Sequence, residues 1–176
     1  LWSFQYSQNL GGQLEFGNDK VSMERFDLTE VIRGVVQSAQ LLAGQKEAEL
    51  TFSQDAPIYV WGDEFKVEEV VTNYVSNALN HVDYERKIEV KAQKEGNVVR
   101  VSVFNTGDII PKEDLEKVWI KFYKVDKART REYGGSGIGL SIVKAIMDSM
   151  HKKCGVKNYE NGVEFWFELS CADAEE

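Results

Sequence analysis

Four polar side chains occupy one side of a segment whose apolar residues predict an amphipathic helix opening near Gly62 and Asp63. They are Asn73, Asn77, Asn80 and His81. Intervals of three and four residues place such side chains along one side of an α-helix. Asparagine is a poor helix former, and exposed helix positions normally carry Lys, Glu or Gln. The stripe therefore indicates a functional role, with solvated polar residues near a helix end as the alternative.

A glycine-rich run at residues 134–140 (GGSGIGL) precedes a second amphipathic segment, in which Leu140, Val143 and Met147 recur at helical spacing. Glycines let backbone N–H groups approach phosphate oxygens, and the positive end of a following helix favours the same anion. The spacing G-x-G-x-G after a charged loop differs from the dinucleotide fingerprint, and the chain has no P-loop motif. The run is a candidate phosphate cradle of a third kind, with an ordinary turn as the alternative.

A basic segment lies just before the glycine run. Residues 117–131 contain six Lys or Arg residues and one acidic residue, although the whole chain has a formal net charge of -8. Trp119, Phe122 and Tyr123 are interleaved with these cations. Cations attract phosphate, and aromatic residues can anchor a loop. The composition therefore favours a mobile lid that covers a phosphate site. A solvated charged loop is the weaker alternative.

Composition sets the broad class of the protein. The chain has 176 residues, of which 43% are hydrophobic, and this is enough for one well-filled core. The negative net charge excludes a general attraction to nucleic acid or anionic membranes. Cys154 and Cys171 form no C-x-x-C pair, so we expect free thiols in a reducing compartment. No apolar run approaches the length of a membrane span, and we expect a soluble protein.

The remaining pattern predicts helices and strands around these features. Asp27 is a predicted N-cap with Glu30 three residues later, and it opens a helix that ends near Ala43. Strands are predicted at residues 49–52 and 58–61, in a hairpin at 88–92 and 99–103, and in a second hairpin at 153–159 and 163–169 around Asn161 and Gly162. We also expect a helix end and turns at residues 1–20 and a short helix from Pro111 to Val118.

Asn105 ends one strand of the first hairpin and shares the alternation of Val99, Val101 and Val103. Alternate side chains of a strand point to the same face of a sheet. Asn105 is therefore predicted to face the covered side of the sheet, where a buried amide needs a hydrogen-bond partner.

Together these features resemble the catalytic, ATP-binding domain of bacterial sensor histidine kinases, in a superfamily that also holds DNA gyrase and MutL. Its motifs occur here in the family's order. Residues 73–78 (NYVSNA) resemble the N-box, residues 105–107 (NTG) with Pro111 the first glycine box, residues 122–126 (FYKVD) the F-box, and residues 135–140 (GSGIGL) the last glycine box. The motifs lie within residues 63–145.

The resemblance also implies a fold and a division of the chain. The fold is a two-layer α/β sandwich, in which a mixed, mostly antiparallel sheet of about five strands is covered on one face by three helices and carries a mobile ATP lid. Residues 1–20 would be the remnant of a dimerisation and phosphotransfer helix with its linker. Residues 21–171 would form the catalytic ATP-binding domain, and residues 172–176 a frayed tail.

Functional roles follow from the same resemblance. It implies that Asn77 coordinates Mg²⁺ through its side-chain carbonyl and that Asn73 and Lys124 take part in catalysis with it. The implied ATP-binding residues are Asn73, Asn77, Asn80, His81, Asn105, Gly107, Ile110, Tyr123, Lys124, Arg129, Arg131, Gly135, Ser136, Gly137, Ile138, Gly139 and Leu140. Hydrolysing relatives carry Glu at the position of Asn73 as a general base. An amide cannot take up a proton, so we expect very slow hydrolysis of ATP.

Three departures from the family pattern concern the affinity for ATP. Asn105 replaces the Asp that accepts the adenine amino group, and a neutral acceptor should weaken binding by roughly fivefold to tenfold. Ile109 replaces a glycine and stiffens the start of the lid. Asn80 replaces a common Lys, and His81 replaces a common aromatic residue. Together they predict modest affinity at a site that remains functional.

The implied reaction is transfer of the γ-phosphate of ATP to a histidine of a dimerisation domain, for relay to the receiver domain of a response regulator. The chain's histidines are His81 and His151, and neither stands where the family's phosphoacceptor would. We therefore expect the acceptor on a separate domain. We also expect a monomeric fragment of a homodimeric protein, a cytoplasmic location with a membrane-anchored parent, and no direct contact with nucleic acid or membrane.

One alternative of a different class is a nucleotide-responsive interaction module with weak or no kinase activity. Asn105 is the residue that supports it, because the substitution weakens nucleotide recognition. An ATPase of the gyrase or MutL kind is disfavoured by Asn73. ATP titration with and without Mg²⁺ separates the kinase domain from the interaction module.

Overall fold

The computed structural model describes the backbone of residues 2–9 and 12–14, and the backbone with side chains of residues 20–123 and 139–172. Within these ranges the chain forms a seven-stranded sheet and three α-helices. The predicted α/β class with a mixed, mostly antiparallel sheet and three helices is confirmed. None of the helices in these ranges is long and apolar enough to cross a membrane.

The main sheet has seven strands, whereas the resemblance implied about five and the residue pattern predicted six. They are β3 (Glu24–Asp27), β4 (Glu49–Phe52), β5 (Tyr59–Gly62), β6 (Lys87–Glu95), β7 (Val98–Thr106), β8 (Cys154–Tyr159) and β9 (Gly162–Ser170). Their order is β3-β5-β9-β7-β6-β4, and β8 also pairs with β9. Only β4 and β6 pair in parallel within the part of the sheet that the structure describes. The sequence missed β3 because it is short and charged, with Phe26 as its buried residue.

Two of the three helices begin at aspartates that cap them. Helix α1 (Leu28–Gln45) begins after Asp27, whose carboxylate accepts from the backbone N–H of Thr29 at 3.0 Å. Helix α2 (Glu64–His81) begins after Asp63, which accepts from Lys66 N–H at 3.2 Å. Side-chain oxygens at the N-cap satisfy N–H groups that have no partner inside the helix. The third helix, α3 (Gly139–Ser149), includes the last two residues of the glycine run, and a helix was predicted at this place.

The core lies between the helices and the strands in the middle of the sheet. On β7 the alternate residues Val99, Val101 and Val103 are buried, and Asn105 is buried in the same alternation. Tyr74 of α2 is buried against the sheet, and its hydroxyl donates to the carbonyl oxygen of Trp166 at 2.9 Å. The predicted burial of Asn105 is confirmed. Helix α2 also packs against β7, the strand that carries Asn105.

Two local predictions need correction. The segment from Pro111 to Val118 is not one helix but two short 3-10 turns, Lys112–Asp114 and Lys117–Trp119. Charged residues fill most of this stretch, so it lacks a continuous apolar face that could hold an α-helix. The second hairpin turns at residues 160–161, because Tyr159 pairs with Gly162 as the first residue of β9.

The N-terminal segment also differs from the prediction. Strands β1 (Trp2–Asn9) and β2 (Gly12–Leu14) pair antiparallel in a separate two-stranded sheet, so the predicted helix end is wrong. In the sequence, apolar residues alternate with polar ones over residues 2–7, and a period of two is typical of a strand. That residues 1–20 derive from a dimerisation helix stays a prediction. The predicted frayed tail lies outside the described residues except for Ala172.

Candidate functional site

The polar stripe on α2 lies at the border between the core and the solvent. All four of its residues are half-buried. They alternate with buried residues of the same helix, such as Tyr74 and Ala78. The stripe is therefore neither part of the apolar core nor a fully solvated helix face.

Asn73 connects the stripe to the start of α3. Its Nδ2 donates to the carbonyl oxygen of Glu69, one turn earlier in α2, at 2.9 Å. Its Oδ1 lies close to Gly139, since a Cβ placed on that glycine would be 2.7 Å from Oδ1. Real Cβ atoms do not show contacts under 3.0 Å, so a larger residue at position 139 would require the Asn73 amide to shift. Two motifs that are far apart in the sequence thus meet directly.

Asn77 and Asn80 present amides that are available for a ligand. Neither side chain makes a hydrogen bond with another residue of the described part of the chain. Asn77 lies one helical turn after Asn73, on the same side of α2. Amide oxygens are ordinary ligands for magnesium, so the chemistry of these residues fits that ion.

Glu69 is a neighbour of the stripe that the sequence prediction missed. It lies one turn before Asn73 and is half-buried. Its pKa is raised, because burial disfavours the charged carboxylate more than nearby Lys66 favours it. Its spacing of four residues from Asn73 is the sequence signal that could have identified it.

The first glycine box packs against the C-terminal end of α2. Gly107 has φ +149, and a Cβ there would lie 2.7 Å from the carbonyl oxygen of His81. Asn105, just before it, is only 3% exposed, and its Nδ2 donates to the carbonyl oxygen of Thr106 at 3.0 Å. The Oδ1 of Asn105 has no hydrogen-bond donor among the residues that the structure describes. A buried acceptor without a donor is uncommon and marks a place where a ligand can donate.

Ile110 is held by a side chain of β8. Its backbone N–H donates to Oδ1 of Asn158 at 3.0 Å, and its carbonyl oxygen accepts from Nδ2 of the same residue at 2.7 Å. The sequence prediction did not include Asn158. Asparagine is depleted in strands, and this would have been the signal to consider.

Tyr123 is the last described residue before the glycine run. Its hydroxyl donates to the carboxylate of Asp114, and this bond raises the pKa of Tyr123 because it stabilises the neutral phenol. Trp119 packs edge-on against Phe165 of β9, with ring centroids 5.8 Å apart. Two of the aromatic residues predicted to anchor the lid thus have partners within the domain. Phe122 is exposed.

The described part of the site therefore unites α2, the end of β7 and the start of α3. Of the predicted site residues, the structure describes Asn73, Asn77, Asn80, His81, Asn105, Gly107, Ile110, Tyr123, Gly139 and Leu140. Direct approaches join Asn73 to Gly139 and Gly107 to His81. The predicted residues Lys124, Arg129, Arg131, Gly135, Ser136, Gly137 and Ile138 lie outside the described residues.

Comparison with known proteins relates these elements to a family. The sequence model of the family described as histidine kinase-, DNA gyrase B-, and HSP90-like ATPase matches residues 62–173. The sensor histidine kinase WalK of Bacillus subtilis (strain 168) is 33% identical over an alignment of 150 residues, and the match covers 75% of this chain and 24% of WalK. The sensor protein VanSB of Enterococcus faecalis (strain ATCC 700802 / V583) is 28% identical over 83% of this chain and 33% of its own length. The chain thus spans a third or less of these two relatives.

One solved structure of a single domain is similar to this chain over nearly the whole length of that domain. The catalytic domain of the histidine kinase ThkA is 30% identical, with a TM-score of 0.74, and the match covers 85% of this chain and 97% of that domain. A complex of ThkA with the response regulator protein TrrA is also similar, at 29% identity and a TM-score of 0.71, over 86% of this chain and 42% of that one.

Proposed function

This chain belongs to the histidine kinase-, DNA gyrase B-, and HSP90-like ATPase family, and from that premise we propose how its residues serve the kinase reaction. Its relatives are sensor histidine kinases, and its fold is that of their catalytic domains. We propose that it binds ATP and transfers the γ-phosphate to a histidine on a dimerisation domain outside this chain. A response regulator would receive the phosphate next.

One observation carries this proposal. The contact between Asn73 and Gly139 brings the amide stripe of α2 to the N-terminus of α3. An N-terminus of a helix favours anions, and amide oxygens favour a hard cation. The two together suit a triphosphate with its metal ion.

The nucleotide would extend from Asn105 to the glycine run. The free Oδ1 of Asn105 suits a donor such as the adenine amino group. The phosphates would contact the run at residues 135–139, together with Lys124, Arg129 and Arg131, which bring positive charge. Positioning and charge neutralisation supply most of the catalysis in phosphoryl transfer.

The metal ion would be held by Asn77. Its amide is half-buried and has no other hydrogen bond among the described residues, so its oxygen is available. Magnesium keeps several waters and takes few protein ligands when phosphates are present. When bound, it neutralises negative charge on the phosphates.

Asn73 would position the metal and phosphate region without acting as a base. Its Nδ2 is already used by Glu69, and an amide oxygen cannot take up a proton at neutral pH. We therefore expect the chain alone to hydrolyse ATP much more slowly than ordinary ATPases, measured as phosphate release. Turnover at rates typical of ATPases would contradict this assignment.

The partners and location follow from the same proposal. The acceptor histidine would lie on the protein's own dimerisation domain, in a homodimer, and the phosphorylated domain would meet the receiver domain of a response regulator. The solved complex of ThkA with TrrA supports the second step. ATP as substrate supports a cytoplasmic location for this domain. The longer protein to which it belongs would be anchored in the membrane.

The decisive experiment extends the chain with the histidine-bearing domain of its parent and follows label from γ-labelled ATP. We expect the extended protein to be labelled when it carries no substitution, and we expect this labelling to be lost in Asn77→Ala. Asn97→Ala serves as control, because Asn97 is an exposed residue in the turn between β6 and β7. Equal labelling of the Asn77→Ala protein would contradict the metal role, and no labelling of the parent would contradict the kinase function.

The alternative of a nucleotide-responsive interaction module is not favoured by the comparisons, since the relatives are named as sensor kinases. It predicts ATP binding without label transfer in the same experiment.

A further inference from the structure

Asn158 makes two hydrogen bonds to the backbone of one residue. It accepts from the N–H of Ile110 and donates to its carbonyl oxygen, at 3.0 and 2.7 Å, across 48 residues of sequence. A side-chain amide offers a donor and an acceptor on separate atoms, so it can bond to the N–H and the carbonyl oxygen of one residue at once. The pair therefore reproduces what a neighbouring β-strand would do for Ile110.

The same hairpin also holds the other end of the segment. The backbone N–H of Gly107 donates to the carbonyl oxygen of Asn161, in the turn between β8 and β9, at 3.1 Å. Residues 107–110 lie outside every helix and strand, so they have no regular backbone bonds of their own. The end of the β8–β9 hairpin thus anchors both ends of the segment from Gly107 to Ile110.

Asn158 is an unfavourable residue for a strand, and its two bonds to Ile110 give a reason for its presence there. Asparagine is disfavoured in strands, and Asn158 pairs with Val163 of β9, one pair before the ladder ends at the turn. Its side chain is half-buried and is fully used by Ile110. Replacement by a β-branched residue would suit the strand better but would release Ile110.

We propose that Asn158 is a positioning residue for nucleotide binding, which fixes the segment from Gly107 to Ile110 in the conformation that receives the base. This inference rests on the proposed function, because the segment contacts nucleotide only if the chain binds ATP. Asn158 itself does not touch the nucleotide. It acts through the backbone of Ile110, and it lowers the ordering cost that the segment would otherwise add to binding.

The test compares three variants of the chain by titration with ATP and Mg²⁺. Asn158→Leu removes both bonds, and we expect its dissociation constant to rise about tenfold. Asn158→Asp keeps the acceptor for the N–H of Ile110 and loses the donor, so we expect a smaller rise of about threefold. Asn161→Ala is the matched control, because only the backbone carbonyl of Asn161 holds Gly107. We expect its affinity to stay within twofold of the parent.

A second measurement separates positioning from general stability. Amide hydrogen exchange at Ile110 should be accelerated at least tenfold in Asn158→Leu, while core amides such as Val101 keep their protection. In the protein extended with the acceptor domain, the KM for ATP should rise and kcat at saturating ATP should stay within twofold. If Asn158→Leu does not fold, Asn158→Asp carries the test.

The outcomes for the two proposals are distinct. If the parent chain does not bind ATP, the proposed function fails. If the parent binds ATP and both Asn158 variants bind it equally well, the positioning role of Asn158 is wrong and the proposed function stands. Slower folding or lower stability with unchanged affinity would likewise overturn the positioning role.

Discussion

At the residue scale, the replacement of the family's Asp by Asn105 affects both the binding of ATP and the stability of the fold. The resemblance implies an Asp here, which would offer adenine a charged acceptor. The structure shows that the Nδ2 of Asn105 has a second use, because it donates to the carbonyl oxygen of Thr106. The amide is thus oriented with its oxygen free, and a carboxylate could not make the same bond.

Asn105→Asp should therefore change affinity and stability in opposite directions. We expect ATP to bind about fivefold more tightly, because hydrogen bonds to charged acceptors are stronger. We expect the free energy of unfolding without ATP to fall by about 1–3 kcal/mol, because a buried carboxylate replaces a satisfied amide. ATP titration and urea unfolding measure the two effects. A variant that is both more stable and tighter in binding would contradict this account of Asn105.

Glu69 makes the stability of the protein depend on pH. Burial raises its pKa, so the folded protein holds the proton more strongly than the unfolded chain does. Ionisation of Glu69 therefore destabilises the folded state once the pH exceeds the ordinary glutamate range. Glu69→Gln should stabilise the protein at neutral pH, and this gain should disappear in acid, where Glu69 is protonated in both states.

Urea unfolding of both proteins at neutral and acid pH measures this difference. Glu68→Gln is the matched control, because Glu68 is the adjacent, exposed residue on the same helix. A gain for Glu69→Gln that persists in acid would show that burial of the charge is not its cause.

At the element scale, the approach of α3 to α2 depends on Gly139. In Gly139→Ala the new Cβ would lie 2.7 Å from Oδ1 of Asn73, so the Asn73 amide must shift from the position in which it bonds to Glu69. We expect ATP affinity to fall about tenfold, while the free energy of unfolding changes by less than about 1 kcal/mol, since alanine favours the helix.

Gly34→Ala provides the control for that prediction. Gly34 lies within α1, and a Cβ there meets nothing within 4 Å. It should raise the free energy of unfolding by about 0.5–1 kcal/mol and leave ATP affinity unchanged. Equal ATP affinity of Gly139→Ala and the parent would disprove a role for the α2–α3 contact in binding.

The sequence predicted most helices and strands correctly, because each has a local period. The alternation of Val99, Val101 and Val103 identified β7 and its buried face before the structure did. Elements without such a period were missed or wrong: β3 is charged, and the segment after Pro111 forms 3-10 turns. In the site, the motif residues were predicted, whereas Asn158 and Glu69 were not. Glu69 has a local signal, its spacing of four residues from Asn73, whereas the contact of Asn158 with Ile110 spans 48 residues and has no local pattern.

At the scale of the whole molecule, ligand binding should be visible as stability. A ligand that binds only the folded state at 100 times its dissociation constant adds about 2.7 kcal/mol. For a domain of this size we expect ATP with Mg²⁺ to raise Tm by about 5–10 °C. In Asn77→Ala the part of this rise that requires Mg²⁺ should be lost. Thermal unfolding with ATP alone, with ATP and Mg²⁺, and with Mg²⁺ alone provides the comparison.

A rise in Tm that is the same for the parent and Asn77→Ala would remove Asn77 from the metal site. No rise for the parent at high ATP would contradict nucleotide binding by this domain.

The motifs, their order and the alternation of helices and strands can be read from the residues alone, because each of these depends on residue types at short spacing. Which distant residues meet follows from the fold. The contacts of Asn73 with Gly139 and of Asn158 with Ile110 arise from strand order and helix packing, which bring segments together across the sheet. Such contacts depend on which helices and strands lie next to each other in the fold. A pattern within one short segment does not contain that information.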